Sequence, residues 1–252
     1  MEPQPNDGFV RTFARGLRLI EALGRAPRQN LSEISEAAGL PRTVVRRLLM
    51  TLLELGFVDT DEKNYWLTPS MLRLGMAYLH TVPFWRQSQP ALEELGTKIK
   101  QSCAIAVLDG EDIVYIQRFH TKGILALNPG IGSRLPAFSV SMGRVLLAGL
   151  PQERFERFMQ QVTIKKLTSK TVETKAALRD IIATVNEQGY AWGDREYDEA
   201  ICGLAVPIRD QHNQVIAALN VSLLAGEFSE AEAVERFLPW LKLTATRLRA
   251  AS

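Results

Sequence analysis

Residues Leu31–Val58 read LSEISEAAGLPRTVVRRLLMTLLELGFV, and this stretch decides the fold of the first part of the chain. Ile34, Ala37 and Ala38 share one helical face, and Asn30 with Glu33 three residues on makes a capping box at its start. Gly39 supplies a left-handed turn, and Pro41 suits the first position of a second helix. In that second helix Val44, Val45, Leu48, Leu49 and Leu52 are apolar at helical spacing, which turns Arg42, Thr43, Arg46 and Arg47 outward. No Asp or Glu interrupts the run between Glu36 and Glu54, so the outward face is cationic. The arrangement predicts a helix–turn–helix. A helix fits the major groove of DNA, and arginine pairs bidentately with guanine or binds phosphate. Thr43 is placed to meet a thymine methyl or a phosphate. Arg46 and Arg47 diverge by one helical step, so one is expected on bases and the other on the backbone.

Outward from this motif, Phe13, Leu17, Ile20 and Leu23 recur at helical spacing and predict a helix over Val10–Leu23. Residues 1–8, polar and holding two prolines and a glycine, are expected to be a disordered tail. Downstream, Phe57–Val58 and Tyr65–Leu67 flank a polar tip at Asp59–Asn64, the pattern of a β-hairpin wing whose Lys63 can reach a phosphate. Residues 9–68 thus form a predicted winged helix–turn–helix DNA-binding domain. A Leu/Met-rich helix follows within residues 69–82 (Met71, Leu72, Leu74, Met76, Leu79), too apolar to stay solvated, and is expected to serve as a linker and part of a dimer contact.

Beyond Pro83 the pattern changes. A helix over Gln89–Lys100 precedes alternating runs at Cys103–Leu108 and Ile113–Phe119 joined at Asp109–Gly110, an antiparallel hairpin. Another strand is expected near Ile124–Leu127. Helices are expected at Met142–Gly149, Gln152–Gln160 and Thr174–Glu187, and strands at Tyr190–Gly193, Gly203–Arg209 and Val215–Leu223. Ser229 with Glu232 forms a second capping box before a final helix. Strands mixed with peripheral helices predict an α+β class with an antiparallel sheet over residues 83–252.

Composition excludes several classes. The chain is 46% hydrophobic and 23% charged, enough apolar content for a core without metal or disulfide staples. Its net charge of +2 is uninformative, so a DNA-binding expectation rests on local charge. Cys103 and Cys202 have no CxxC or Cys/His spacing, and no metal site or cofactor is expected. No signal pattern opens the chain and no apolar run reaches membrane-spanning length, so a cytoplasmic protein is expected.

Two further blocks, GSRLPAFSVSMGRVLLAGL (Gly132–Leu150) and GYAWGDREYDEAICGLAVPIRDQHNQVIAALNVS (Gly189–Ser222), give the chain its resemblance. In order and spacing they resemble the effector domain of the IclR family of bacterial transcriptional regulators, and the likeness runs from Phe9 to Arg249. The stretches LDGEDIVYIQRF, SMGRVLLAGL and LPWL further resemble the branch controlling protocatechuate and 4-hydroxybenzoate catabolism. The resemblance implies a winged-helix domain, a linker helix and a GAF-like effector-binding domain. It also implies a homodimer or tetramer acting at a palindromic double-stranded operator, and a small, aromatic carboxylic acid as effector.

Carried over position by position, the resemblance places effector contacts at Ser141, Met142, Gly193, Gly203, Asn220 and Ser222. Ser141 opens a helix, whose N-terminal N–H groups favour an anion. Asn220 and Ser222 alternate on one strand face. Arg134 is the candidate carboxylate partner through a bidentate pair, and Arg144, one helical step past the SMGR start, is expected in solvent. Trp192, Phe138 and Tyr115 are candidate aromatic walls. The chain departs from the family's EEGLRSIAVP pattern with DEAICGLAVP: Ala200 replaces a glycine, and Cys202-Gly203 replace Arg-Ser. A pocket hydroxyl and a charge are thereby lost. An enzyme reading would need a Ser or Cys nucleophile beside a histidine; His80, His120 and His212 are scattered, and only His120 with Cys103 has any geometric chance. A protein-binding module with an appended winged helix is the other alternative.

Overall fold

The structure is a computed structural model and describes residues 8–121 and 130–250. The expected tail falls mainly, and the strand near Ile124–Leu127 wholly, outside the described residues. The chain divides into two compact units between Thr81 and Val82.

The first unit holds helices α1 (Arg11–Leu23), α2 (Leu31–Ala38) and α3 (Arg42–Glu54) and strands β1 (Gln29–Asn30), β2 (Val58–Thr60) and β3 (Asn64–Leu67). The capping box is present: Asn30 accepts from the backbone of Ser32 and Glu33, and Glu33 accepts from Asn30 N. Gly39 closes α2 at φ +61°, where a side chain would strain the backbone. Pro41 stands one place outside α3, as its N-cap rather than its first residue. The apolar stripes of the three helices meet at Leu19, Ile34, Val45 and Leu49, all fully buried. Each such side chain contributes roughly 1.5–3 kcal/mol of burial free energy. The wing is a three-stranded sheet in the order β1-β3-β2. Its added strand is only Gln29 and Asn30, paired with Tyr65 and Asn64. The Gln29 side chain is buried and donates to the carbonyls of Ala22 and Leu23, closing the open end of α1. After the wing come a short 3-10 turn at Pro69–Met71 and helix α4 (Leu72–Leu79).

The second unit is built on a six-stranded antiparallel sheet. Its strands are β4 (Ser102–Asp109), β5 (Asp112–Phe119), β6 (Arg134–Pro136), β7 (Ala191–Asp194), β8 (Ile201–Arg209) and β9 (Val215–Leu224), in the order β6-β5-β4-β9-β8-β7. Helix α5 (Trp85–Ile99) starts four residues ahead of the expected Gln89 and packs on β4 and β5, while α9 (Glu230–Ala250) covers β8 and β9. Helices α6 (Ser141–Ala148), α7 (Gln152–Gln161) and α8 (Lys175–Gln188) complete the unit. Cross-strand register sorts the residues of the sheet into two faces. One carries Leu204, Val206, Leu219 and Val221, all buried. The other carries Ala104, Ala106, Ala205 and Ala218, packed in one cluster with Met142, Val145 and Leu146 of α6. Alanine leaves little side chain above the sheet, so α6 comes close to it. Gly143 lets α6 close against the 3-10 turn at Ala137–Ser139 that precedes it: a Cβ there would lie 2.0 Å from the carbonyl oxygen of Ala137. No helix among the described residues is long and apolar enough to cross a membrane.

Candidate functional site

On α3, Arg42, Thr43, Arg46 and Arg47 are all exposed, while Val45, Leu49 and Leu52 of the same helix are buried. Met50, 61% exposed, lies among them on the outer face, a position that sequence reasoning passed over. The wing tip is shaped by Asp61, whose carboxylate accepts from the backbone of Lys63 and Asn64 and pairs with Arg28 at 3.0 Å. Those backbone hydrogen bonds, with Asn64 the strongest, hold the Asp61 pKa below the ordinary carboxylate value. The Arg28 guanidinium also stacks 4.2 Å above the Trp66 ring. Lys63 is exposed at this tip.

In the second unit a cleft of about 630 Å³, its open mouth included, lies between the alanine face of the sheet and the start of α6. Ser141, Met142, Gly193, Gly203, Asn220 and Ser222 all line it. The sheet register explains why: Gly203 pairs with Ser222 on one side and Gly193 on the other, and Asn220 lies two residues from Ser222 on the same face. Of the three candidate aromatic walls, Tyr115 lines the cleft and Trp192 and Phe138 do not.

Two arginines differ from expectation. Arg134 is not among the lining residues. It sits half-exposed on the edge strand β6, where its guanidinium pairs with Asp109 at 2.6 Å and Asp112 at 3.1 Å and so braces the β4–β5 turn. The Asp109 hydrogen bond raises its pKa further. Arg144 is not in solvent but 3% exposed, in a bidentate pair with Glu196. Glu196, itself a cleft residue, is held by its backbone: its carbonyl accepts from Thr171 Oγ1 at 2.7 Å.

The cation that does line the cleft is Arg118. Strict alternation along β5 would turn Arg118 and Tyr115 to opposite faces. A β-bulge prevents it, because Ile105 pairs with Gln117 but Ala106 pairs with Tyr115, leaving Ile116 as an extra residue. Tyr115 and Arg118 therefore share the cleft face, with the guanidinium 4.5 Å from the tyrosine ring centre. Burial lowers the pKa of Arg118 and raises that of Tyr115, the mark of a partly desolvated cation. Arg118 belongs to the same cross-strand row as Ala104 and Asn220, so a small residue separates the cation from the amide.

Among the described residues no cluster of His, Cys, Asp and Glu could hold a metal ion. Cys202 is buried and donates to Asp194 Oδ1, and desolvation pushes its thiol up to about 11. A thiol held protonated is a poor nucleophile.

Models of two domains match this chain: the IclR helix-turn-helix domain over residues 12–62 and the bacterial transcriptional regulator IclR C-terminal domain over residues 76–250. The chain belongs to the IclR family. The Pca regulon regulatory protein of Pseudomonas putida is 37% identical over 241 residues, covering 95% of this chain and 82% of that protein. A transcriptional regulator of Rhodococcus sp. RHA1 superposes with a TM-score of 0.83 at 36% identity, covering 96% of this chain and 98% of the other. An IclR homologue from Microbacterium hydrocarbonoxydans, crystallised with 4-hydroxybenzoate, shares the fold with a TM-score of 0.81 at 22% identity, covering 95% and 98%. The α+β architecture with its winged helix–turn–helix is thus that of IclR regulators. The protein is a transcriptional regulator of this type rather than an enzyme, as its relatives are named.

Proposed function

We propose that this IclR-family regulator controls an operon for aromatic-compound catabolism and takes a small aromatic carboxylic acid in the cleft of its second unit. The observation that carries the reading is Arg118, the one cation among the described residues lining that cleft, partly desolvated and stacked on Tyr115. Of the two carboxylates among the described residues that line the cleft, Glu196 adds no net charge because Arg144 neutralises it, and Asp198 accepts from the Ala200 backbone N–H in the loop before β8. A carboxylate on Arg118 forms a charge-assisted pair, and the Tyr115 ring offers an apolar flank. The Pca regulon protein and the 4-hydroxybenzoate complex support this ligand class. The effector-binding residues proposed are Arg118, Tyr115, Ser141, Met142, Gly193, Gly203, Asn220 and Ser222; Arg134 is left out.

On the DNA side, Arg42, Thr43, Arg46 and Arg47 enter the major groove of a palindromic operator and Lys63 meets the backbone beside it. Two-fold symmetry of the site calls for a dimer, or a tetramer built as a dimer of dimers. Leu72, Leu74 and Tyr78, at least half exposed on α4, support self-association through that helix. Work on chromosomal DNA places the protein in the cytoplasm.

Calorimetric titration of the purified chain with benzoate and 4-hydroxybenzoate tests the ligand reading. Saturable binding is expected, weakened about 10- to 150-fold in Arg118→Met by loss of a hydrogen-bonded charge worth ~1.5–3 kcal/mol. No heat from any benzoate at millimolar concentration refutes it.

A further inference from the structure

We propose that the connection between α7 and α8 is a strap that holds one wall of the cleft in its binding position, with Thr168 and Thr171 as positioning residues that do not themselves touch the effector. The proposal rests on the reading of this cleft as the effector site and adds to it what keeps the site assembled.

Residues 162–174 form neither helix nor strand. Both ends of this connection are pinned, because Val162 and Val172 are buried in the cluster that also holds Met142 and Val145 of α6. None of its residues lines the cleft. The wall that it holds is the β7–β8 loop, which supplies Glu196, Tyr197 and Asp198 to the lining.

Two buried hydroxyls join strap to loop. Thr168 Oγ1 donates to the Arg195 carbonyl and Thr171 Oγ1 to the Glu196 carbonyl, each at 2.7 Å. For Thr171 the direction is fixed: its oxygen accepts from the backbone N–H groups of Leu167 and Thr168, so its one proton is left for Glu196. Ser169 adds an outer tie, its N–H and its hydroxyl both donating to Glu199. The loop needs this hold. Arg195 sits at φ +56°, a left-handed conformation that costs a residue with a side chain and lasts only where neighbours enforce it. The strap grips two successive carbonyls, that of the strained residue and that of the next. Glu196 is thereby clamped from two directions, by Thr171 at its carbonyl and by Arg144 of α6 at its carboxylate. An effector that rests on Tyr197 or Asp198 binds the strapped form only, so occupancy and strapping favour each other.

Trypsin reads the loop directly, because it cuts after arginine and the Arg195–Glu196 bond lies under the strap. Cleavage of the full chain, scored by the fragment beginning at Glu196 and run well below the thermal midpoint, tracks the population with the loop released. Thr171→Val is expected to raise that rate about three- to tenfold or more, the factor for one lost hydrogen bond. Thr171→Ser keeps the hydroxyl and is expected to stay within about twofold of the unaltered protein. If Thr171→Val does not fold, Thr168→Val carries the same expectation. Benzoate at about nine times its Kd is expected to slow the cut about tenfold, by one plus the ratio of concentration to Kd, and to leave cleavage in the first unit unchanged. Valine variants cut no faster than the unaltered protein overturn the strap. Benzoate that binds by calorimetry yet gives no protection overturns the link between loop and effector. If benzoate does not bind at all, the aromatic-acid reading fails, and the valine variants alone decide whether the strap holds the loop.

Discussion

Replacing Glu196 by alanine strands the guanidinium of Arg144 inside the second unit. In the intact pair Arg144 Nη1 donates to Oε1 at 2.6 Å and Nη2 to Oε2, and the two side chains are 3% and 11% exposed. Without Glu196 the cation keeps only a long contact from Nη1 to the Trp192 carbonyl at 3.5 Å, and its Nε already has no partner. Breaking a buried pair on one side costs about 3–5 kcal/mol, because the remaining charge stays desolvated. At ~2–4 °C per kcal/mol for a domain of this size, the thermal midpoint of the second unit should fall by roughly 6–20 °C. Removing both charges is a different perturbation. Arg144→Met combined with Glu196→Leu should recover most of the loss, since well-packed apolar replacements of buried pairs are often neutral. Differential scanning calorimetry at neutral pH on the wild type, the single variant and the double variant measures all three. A single variant within about 1 kcal/mol of wild type, or a double variant as unstable as the single, would refute a buried pair acting in this way.

Other perturbations probe different links. Gly143→Ala places a Cβ 2.0 Å from the Ala137 carbonyl oxygen, backbone that cannot rotate away, so stability should fall by about 1–3 kcal/mol or more and effector affinity should fall with it; denaturation and titration of one preparation check both. Arg42→Ala and Arg46→Ala should each weaken operator binding by ~1–3 kcal/mol if the side chain reads a base, whereas a phosphate contact would lower the salt slope by about 0.9. Gel shifts at several salt concentrations separate the two outcomes, and unchanged affinity in both variants removes α3 from the interface. The buried thiols of Cys103 and Cys202 are both pushed up by desolvation, Cys202 from 9.0 to about 11. A folded-state value above the unfolded one favours the protonated native form, so this stability is full below pH 9.0 and is lost as pH rises through about 11. Thermal midpoints should therefore drop over that window, less steeply in Cys202→Ser.

The winged helix was legible because its signals are local. Asn30 and Glu33 cap each other three residues apart, and Gly39 and the apolar stripe of α3 need no distant partner to be recognised. Strand β1 escapes sequence analysis because two residues carry no periodicity, and Asn30 reads as a helix cap. Strand β6 is three residues ending in proline, an edge strand with almost no pattern. Missing it hid the role of Arg134, whose partners Asp109 and Asp112 lie across that pairing. Arg144 looked solvent-facing because its partner is 52 residues away in sequence. The six cleft positions carried over from the family all reached the cleft. Arg118, which supplies its charge, did not announce itself, because period-two counting along β5 fails at the bulge.

That bulge bears on how relatives of this chain are compared. The outer half of β5 can be counted in two ways. With Ile116 set aside from the ladder, Arg118 looks into the cleft; with Ile116 taken into it, the slot opposite Ala104 would fall to Gln117, and a neutral amide would stand where the cation does now. One amino-acid string thus holds two wall chemistries, and strand geometry, not residue identity, selects between them. A relative lacking one residue here would show a gap in alignment and yet keep its arginine on the cleft face. A relative of equal length with a straight strand would match letter for letter and present a different wall. Along β5, the chemistry of the cleft wall is better compared by ladder position than by column.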